Sequence, residues 1–470
     1  MLMIGLMSNT RTENLEDVYP LTPFQQGMLF HVLDTPDAGV YLNQQKYTLR
    51  GDLDLPAFKR ALQGVMDRHQ ILRTGFVLSG SDGPLQVVFR RLNLPWLMHD
   101  WSGLSRAEAG ERVNAWLQSD YESGFDLKRA PLMRITLIRT EADLYEFIWS
   151  FHLLLMDGWS MQVMLRELLA LYHGFCTGQA VELPPPIPYR NFIKWLQRQP
   201  EEQAEAYWRK ALTGFTISTP LGFNRTPLAD VPERPDFKEK IILLDETSSN
   251  NVRSFAVQHR ITLNTIMQGS WALLLSRRSG TNDVLFGSVV SGRSAVIPRI
   301  DSAVGVFVNA LPARVQVPVN GEVVPWLKDL QRQQAEARRF EFCSLVRIQA
   351  WSEVPRNQPL FQSVLIFQNL PTLVEMPESS NVKVVGVHLI ERNNVPLALV
   401  VEPGTRFHVR IVYMGSRFDD GAIDRMLENF QRILIDLTTN FDAALSSISY
   451  QAHAERQLLI DSFNQSLASL

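Results

Sequence analysis

The spacing of apolar residues changes back and forth along this chain between the period of a helix and the period of a strand. Leu55–Leu72 has apolar residues at the i, i+3, i+4 and i+7 spacing that indicates one buried helical face. Leu132–Arg139 follows an imperfect alternation, and the aromatic-rich run Asp143–His152 is typical of a central strand. Trp159–Phe175 returns to helical spacing. The order of elements favours an α+β arrangement, an α/β sandwich, over a doubly wound one.

The second half of the chain repeats this style after a proline-rich interruption. Leu183–Pro188 contains four prolines in six residues, which excludes the interior of a helix or strand and predicts a linker. The helices and strands predicted beyond it are Glu201–Leu212, Ser248–Arg260, Leu263–Arg278, Asp283–Val290, Trp326–Phe340, Ser363–Gln368, Leu397–Glu402, His408–Met414 and Asp419–Thr438. A single core usually holds about 100–200 residues. For 470 residues we therefore predict two lobes. The predicted bounds are a lobe at 17–183, a linker at 184–200, a lobe at 201–450 and a trailing linker at 451–470.

Composition excludes several classes of function. The net charge of −3 provides no general field for binding nucleic acid or an anionic membrane. No apolar run reaches the about 18 residues that a transmembrane helix requires. The two cysteines, Cys176 and Cys343, cannot form a disulfide framework or a four-cysteine zinc site, and they predict a reducing, cytoplasmic compartment. The sequence also contains no phosphate-binding loop, nucleophile elbow or metalloprotease motif.

The strongest concentration of polar residues within an apolar stretch lies between the strand that ends at His152 and the helix that follows it. His152 and Asp157 stand at opposite ends of this connection, Gly158 permits a conformation that side chains forbid, and Ser160 can cap the helix. In one interpretation the loop presents its side chains into a cleft. In the other, His152 is a core histidine with satisfied hydrogen bonds and Asp157 is a helix cap. Spacing alone favours the second interpretation.

Six segments, in order, resemble the motifs of condensation domains of nonribosomal peptide synthetases. The second segment resembles RHxxLRTxF, the third HHxxxDGWS and the fifth VGxFVN. The six are Leu21–Phe30, Arg68–Phe76, His152–Ser160, Tyr189–Trp195, Val304–Asn309 and Pro359–Asn369, and Ser291-Gly292-Arg293 is also typical of the family. The resemblance spans about residues 17 to 440. Several matches in order are far more specific than any one of them.

The resemblance implies a fold of two lobes, each like chloramphenicol acetyltransferase, that form a V-shaped pseudodimer with a central tunnel. It implies an acyltransferase that forms an amide between an acyl thioester donor and an aminoacyl group on a peptidyl-carrier protein. The substrates would be linked to phosphopantetheine, with no tightly bound cofactor and no metal.

The same resemblance assigns roles to individual residues. His152, Asp157, Gly158 and Trp159 would surround the reacting centre together with position 153. The residues implied along the tunnel are Ser160, Tyr189 and Asn309. In the family the aspartate of the third motif is the partner of a buried arginine, and Arg293 is the candidate by position.

The chain departs from the family pattern at Leu153, where the second histidine of HHxxxDG is expected. Leucine can neither accept a proton nor donate a hydrogen bond. A positioned general base contributes about 10²–10⁴-fold in rate, while proximity of two tethered substrates still supplies part of catalysis. We therefore predict strongly reduced activity and an unchanged reaction. Leu153 is either a natural loss or an engineered replacement, and the otherwise complete motif set favours replacement.

The donor depends on where the natural protein begins. If Met1 is the true start, the chain resembles starter condensation domains, which acylate the first amino acid with a fatty acyl group, often from coenzyme A. If Met1 is a cloning boundary, an elongation domain joining two carrier-bound L-amino acids is the alternative. The expected donor partner is acyl-coenzyme A or an acyl carrier protein. The segment 454–464 resembles the linker into an adenylation domain. A non-catalytic module that only docks carrier proteins is the third alternative.

Overall fold

The computed structural model describes residues 14–34, 41–78, 83–222, 236–294, 296–369, 381–390 and 395–448. The chain divides into two compact units. Unit 1 comprises Met1–Gln199, Ser291–Val308 and Leu370–Asn394, and unit 2 comprises Pro200–Val290, Asn309–Asn369 and Val395–Leu470. Both units contain helices packed on a sheet, so the predicted mixed class of fold is confirmed.

Unit 1 contains strands from the first part of the chain and one strand from much later. The strands are β1 (Leu15–Pro20), β2 (Leu42–Gly51), β3 (Thr74–Val77), β4 (Leu85–Phe89), β5 (Trp96–Asp100), β6 (Met133–Glu141), β7 (Leu144–His152) and β12 (Val382–Ile390). The helices are α1 (Pro23–Asp34), α2 (Leu55–Arg68), α3 (Arg106–Ser123), α4 (Gly158–Thr177) and α5 (Arg190–Leu196).

The central strand of unit 1, β7, leads directly into the loop between His152 and Asp157, the candidate site predicted from the sequence. The larger sheet has the order β12-β2-β7-β6-β5, and β7 pairs antiparallel with both neighbours. Apolar residues of α2 and α4, such as Val65 and Leu168, share a core with Phe147 on one face of β7. On the other face, Val113 of α3 belongs to a cluster with Ile148. Because β7 is covered on both faces, its last residues are held firmly in place.

Unit 2 contains a six-stranded sheet with helices packed against it. Its strands are β8 (Phe237–Leu243), β9 (Asp283–Val290), β10 (Asn309–Gln316), β11 (Ser363–Phe367), β13 (Leu397–Glu402) and β14 (His408–Met414). Its helices are α6 (Glu201–Leu212), α7 (Glu246–His259), α8 (Leu263–Ser279), α9 (Val323–Arg338), α10 (Leu345–Trp351) and α11 (Asp420–Thr439). The strand order is β10-β9-β11-β13-β14-β8. Trp271 of α8 and Phe430 of α11 lie at the centre of its main core.

Several predicted elements have the observed bounds, among them Glu201–Leu212, Asp283–Val290 and Leu397–Glu402. The predicted helix over Leu55–Leu72 ends at Arg68, and a 3-10 turn at Gln70–Arg73 follows it. Among the elements that the pattern did not predict are β1, α1, β2, β3, β5, α3, α5, β8, β10, α10 and β12.

The compact units differ from the continuous lobes expected from the sequence. Two segments of the expected lobe at 201–450, Ser291–Val308 and Leu370–Asn394, belong to unit 1. The expected linker at 184–200 lies mostly in unit 1 and contains α5, while 451–470 lies outside the described residues. The physical reason is long-range pairing. The strand β12 pairs antiparallel with β2, placing Val387 opposite Tyr47.

Candidate functional site

The connection between β7 and α4 is fixed by hydrogen bonds at both ends, backbone bonds at the end of the strand and a side-chain cap at the start of the helix. At the end of the strand, the His152 N–H donates to the Leu132 carbonyl at 3.0 Å, and the Leu153 N–H donates to the Tyr41 carbonyl at 2.8 Å. At the start of the helix, Asp157 is the N-cap and accepts from the Ser160 N–H at 2.8 Å. A cap of this kind satisfies a backbone donor that the first helical turn leaves unpaired.

Asp157 and Arg293 form a buried ion pair, as the family resemblance implied. Arg293 Nη2 lies 3.1 Å from Asp157 Oδ1, and the two side chains are 3% and 1% exposed. Arg293 Nη1 also donates to the carbonyls of Ile300 and Ala303, at 2.7 and 3.0 Å. Asp157 Oδ2 accepts from the Phe307 N–H at 3.0 Å. The pair therefore joins the start of α4 to the segment Ser291–Val308.

Ser160 completes this polar cluster. Its hydroxyl oxygen lies 2.8 Å from both Asp157 Oδ1 and the Gly305 carbonyl oxygen. It accepts from Arg293 Nη2 at 3.0 Å and from the Gly305 N–H at 3.1 Å. A hydroxyl donates one hydrogen bond and accepts two, so these four neighbours more than fill its capacity. Ser160 thus holds the site together, and its hydroxyl has no capacity left for a substrate.

The packing of this site requires glycine at two positions, Gly292 and Gly305, and neither is the glycine predicted from the sequence. The expectation of a special conformation at Gly158 is wrong, because Gly158 is the first residue of α4 and a Cβ there would meet open space. At Gly292, φ is +63° and a Cβ would collide with the Phe307 carbonyl. At Gly305, a Cβ would collide with the ring of Tyr189. These two positions allow Ser291–Val308 to lie against α4 and α5.

His152 is a buried, neutral histidine. Burial lowers its pKa to about 3. Its Nδ1 lies 3.1 Å from the Leu154 N–H, from which it accepts a hydrogen bond. A neutral imidazole with an accepting Nδ1 carries its hydrogen on Nε2. Neither ring nitrogen is therefore available to take a proton from a substrate.

Leu153 and Trp159 are the large side chains of this loop that remain accessible. Within residues 151–160, Leu153, Gly158 and Trp159 are half-buried and the other residues are buried. Leu153 packs against the edge of the unit 1 core. Trp159 Nε1 donates to the Asp301 carbonyl at 2.8 Å. The side chain at 153 is thus the accessible one at the strand end of the loop.

Tyr189 and Asn309, the other two residues expected along the tunnel besides Ser160, also use their polar groups internally. Tyr189 is buried, which raises the pKa of its phenol well above the usual range, and its hydroxyl donates to the Val306 carbonyl at 2.6 Å. Asn309 lies in unit 2, where its side-chain amide donates to the carbonyls of Glu341 and Cys343, at 2.7 and 2.6 Å. In these contacts both residues support the backbone around them.

Two residues that hold the loop were not selected from the sequence. The Gln25 amide donates to the Leu154 carbonyl at 2.8 Å and to Gln86 Oε1 at 3.0 Å. The Tyr41 carbonyl accepts from the Leu153 N–H at 2.8 Å. Gln25 lies within the matched segment Leu21–Phe30. A polar residue inside a family motif could therefore have been selected from the sequence as a candidate support for the site. The sequence around Tyr41 has no comparable feature.

The second matched segment braces the same helix. Arg68 Nε lies 3.0 Å and His69 Nε2 lies 2.8 Å from Glu167 Oε2 of α4. Arg73 Nη1 lies 2.7 Å from Glu16 Oε2 of β1. These contacts link α2 and β1 to the scaffold that carries the loop.

In the part of the chain that the structure describes, no three His, Cys, Asp or Glu side chains come close enough to hold a metal ion. Within the same residues, no helix is both long and apolar enough to cross a bilayer.

Comparison with known sequences identifies a family. A family model described as a condensation domain matches residues 15–460. One of the linear gramicidin synthase subunits of Brevibacillus parabrevis is 39% identical over 96% of this chain and 9% of its own length. A mycosubtilin synthase subunit of Bacillus subtilis is 33% identical over 96% of this chain and 17% of its own length. This chain spans between 6% and 9% of the length of three linear gramicidin synthase subunits.

Solved structures show the same fold at lower identity. A variant of the starter condensation domain of rhizomide synthetase, in complex with C8-CoA and Leu-SNAC, has a TM-score of 0.80 at 18% identity, over 95% of this chain and 99% of that one. The condensation domain from the monacolin K polyketide synthase MokA has a TM-score of 0.77 at 18% identity, over 92% and 100%. The expected condensation-domain fold is confirmed.

Proposed function

Because this chain belongs to the condensation domain family of nonribosomal peptide synthetases, we propose that its site is built to form an amide bond between two thioester-bound substrates. The donor is an acyl group on a phosphopantetheine thioester, and the acceptor is the amine of an aminoacyl group on a carrier protein. The amine nitrogen attacks the thioester carbonyl carbon, the C–N bond forms and the C–S bond breaks. The proton that the amine loses ends on the departing phosphopantetheine thiolate, which leaves as the free thiol. We further propose that the present chain performs this reaction slowly.

The half-buried position of Leu153 carries the proposal of reduced activity. It is the accessible large side chain at the strand end of a loop whose surrounding ion pair, cap and hydroxyl cluster are complete. Leucine at this place leaves the attacking amine without a proton acceptor from position 153. The loss of a positioned base lowers the rate by about 10²–10⁴-fold.

His152 does not replace the missing group. Its Nδ1 accepts from the Leu154 N–H at 3.1 Å, and burial lowers its pKa to about 3. A base with such a low pKa is a weak proton acceptor at neutral pH. We propose that His152 and Asp157 support the loop, while position 153 and Trp159 face the substrates.

The donor has two candidates. Fatty acyl-coenzyme A is the first, supported by a TM-score of 0.79 to a starter condensation domain solved with C8-CoA. A carrier-bound aminoacyl or peptidyl donor is the second. It is supported by 39% identity to a linear gramicidin synthase subunit, against 18% to the starter domain. With either donor, we propose that the domain works within a larger cytoplasmic synthetase and is followed by an adenylation domain.

The test compares both donors on one acceptor. The present chain and its Leu153→His variant each receive the same acceptor, an aminoacyl carrier protein. Each is tested with two donors in separate reactions, octanoyl-coenzyme A and a second, donor aminoacyl carrier protein. The amide product is measured by mass spectrometry. Product from Leu153→His with octanoyl-coenzyme A supports the starter reaction, and product with the carrier donor supports elongation. Carrier binding without product in every arm would contradict the enzymatic proposal and indicate a docking module.

A further inference from the structure

Tyr41 immediately precedes β2 with a backbone conformation that is rare for a residue with a side chain. Its φ is +67°, in the left-handed region that few residues other than glycine occupy. Arg260 also has a positive φ, but it is the C-cap of α7, where such conformations are common. Arg299 has one as well and stands immediately before the 3-10 turn Ile300–Ser302. Unusual conformations of this kind persist where the surroundings hold a residue firmly, and they cluster at functional sites.

Several contacts hold Tyr41, and two of them lead to the loop after β7. The Tyr41 carbonyl accepts from the Leu153 N–H at 2.8 Å. The Tyr41 ring centroid lies 6.3 Å from that of His152, within the range of packed aromatic pairs. The Tyr41 hydroxyl lies 2.8 Å from Nδ1 of His31 on α1. With 4% of its surface exposed, Tyr41 is enclosed by these neighbours.

We propose that Tyr41 is a positioning residue for the side chain at 153, and that His31 fixes Tyr41 through its hydroxyl. The proposal rests on the proposed function in one respect, since the orientation of residue 153 matters for rate only if the site forms amides.

The geometry explains how a residue before β2 can direct a side chain after β7. The hydrogen bond from the backbone N–H of residue 153 fixes the plane of its peptide group and therefore the direction of its side chain. The Gln25 amide holds the next carbonyl, that of Leu154, at 2.8 Å. Displacing a reacting group by about 1 Å can cost about 10²-fold in rate. Because Tyr41 holds the Leu153 N–H, we expect a rotation at Tyr41 to displace residue 153.

The hydroxyl of Tyr41 is the part of this arrangement that can be removed cleanly. Burial raises the pKa of Tyr41 above its usual range, so the phenol stays neutral and the bond to His31 persists at working pH. Tyr41→Phe removes this bond and keeps the ring beside His152. Tyr47→Phe is the matched control. It removes a buried hydroxyl from β2, one that donates to Gln45 at 2.5 Å, and it does so away from residue 153.

The experiment places each substitution in the Leu153→His background and measures the steady-state kinetics of amide formation. We expect Tyr41→Phe to lower kcat about tenfold with KM within about twofold, because the substrates still bind but the group at 153 is misdirected. His31→Ala removes the same bond from the other side and should lower kcat similarly, and the double variant should lose little more than either one. Tyr47→Phe should keep the parent kcat. Equal kcat values for Tyr41→Phe and Tyr47→Phe would overturn the proposal.

A second measurement separates this proposal from the proposed function. In the chain as it stands, hydrogen exchange of the Leu153 amide is followed by NMR with selective ¹⁵N-leucine labelling. We expect Tyr41→Phe to accelerate this exchange about tenfold and Tyr47→Phe to leave it unchanged, with both variants melting cooperatively. If Leu153→His forms no amide but the exchange accelerates, the proposed function fails and the positioning of residue 153 stands. Unchanged exchange in Tyr41→Phe contradicts the positioning.

Discussion

The buried pair of Asp157 and Arg293 is the residue-scale feature on which the loop most depends. Removing one partner leaves the other charge buried without compensation, so Asp157→Ala should lower the free energy of unfolding by about 3–5 kcal/mol. The measurement is urea denaturation followed by tryptophan fluorescence. The control is Asp329→Ala, which breaks the exposed pair with Arg332 and should cost at most about 1 kcal/mol. Equal stability of the two variants would contradict a structural role for Asp157.

His152 should make the stability of the fold depend on pH. Burial lowers its pKa to about 3 in the folded chain, while an exposed histidine in the unfolded chain titrates near about 6.5. Below that pH the unfolded chain binds a proton that the folded chain does not, so stability falls as pH falls. From pH 7 to pH 5, His152 should account for a loss of about 2 kcal/mol.

The measurement is the free energy of unfolding at several pH values between 7 and 5. This window avoids the pH range below about 4.5, where the lowered pKa values of Glu16 and Glu167 begin to contribute. His152→Gln should flatten the dependence on pH, whatever its stability at pH 7. His408→Gln, at an exposed strand position, should leave the dependence as it is. The same slope in all three proteins would show that His152 does not titrate on unfolding.

At the scale of elements, Gln25 connects the start of α1 to the loop after β7. Gln25→Ala leaves the Leu154 carbonyl and the Thr22 N–H without their buried partner. The expected cost is about 1–3 kcal/mol of unfolding free energy, measured by urea denaturation. Gln118→Ala, which removes an exposed bond to Glu122 on α3, should change stability by less than about 0.5 kcal/mol. A cost as small for Gln25→Ala would mean that α1 does not support the loop.

The element that carries the site could be predicted because its sequence pattern is local. The apolar run to His152 and the helical spacing after Trp159 locate both flanking elements, and their observed bounds are Leu144–His152 and Gly158–Thr177. The helix α3 was missed because its apolar positions are few, although its capping box of Ser105 and Glu108 was a usable signal. The role of Tyr41 could not be predicted, since a positive φ leaves no mark on a tyrosine.

At the scale of the whole molecule, local sequence patterns could not predict which segments of the chain form unit 1. Family motifs identified Asp157 and Arg293 as partners, but the return of Ser291–Val308 and Leu370–Asn394 to unit 1 depends on contacts between residues far apart in the chain. Pairing of β12 with β2 is a backbone interaction, and many strand sequences satisfy such pairing equally well. Chain order alone therefore predicts continuous lobes.

Because unit 1 is built from three separate segments, we predict that the first part of the chain does not fold alone. A fragment of residues 1–199 lacks β12 at the sheet edge and leaves Asp157 without Arg293. We expect it to show no cooperative unfolding transition in urea, while the full chain does. A sharp transition of the fragment at the midpoint of the full chain would show that the two returning segments contribute little to unit 1.

We propose that Leu153 removes one functional group from an otherwise complete site, and a single-turnover rate tests this proposal most directly. With loaded donor and loaded aminoacyl carrier protein both in excess of their dissociation constants, the first-order rate of amide formation is measured for the present chain, Leu153→His and Leu153→Met. We predict an increase of about 10²–10⁴-fold for Leu153→His and none for Leu153→Met, which keeps the position apolar. A folded Leu153→His protein that forms the amide no faster than Leu153→Met would contradict the claim.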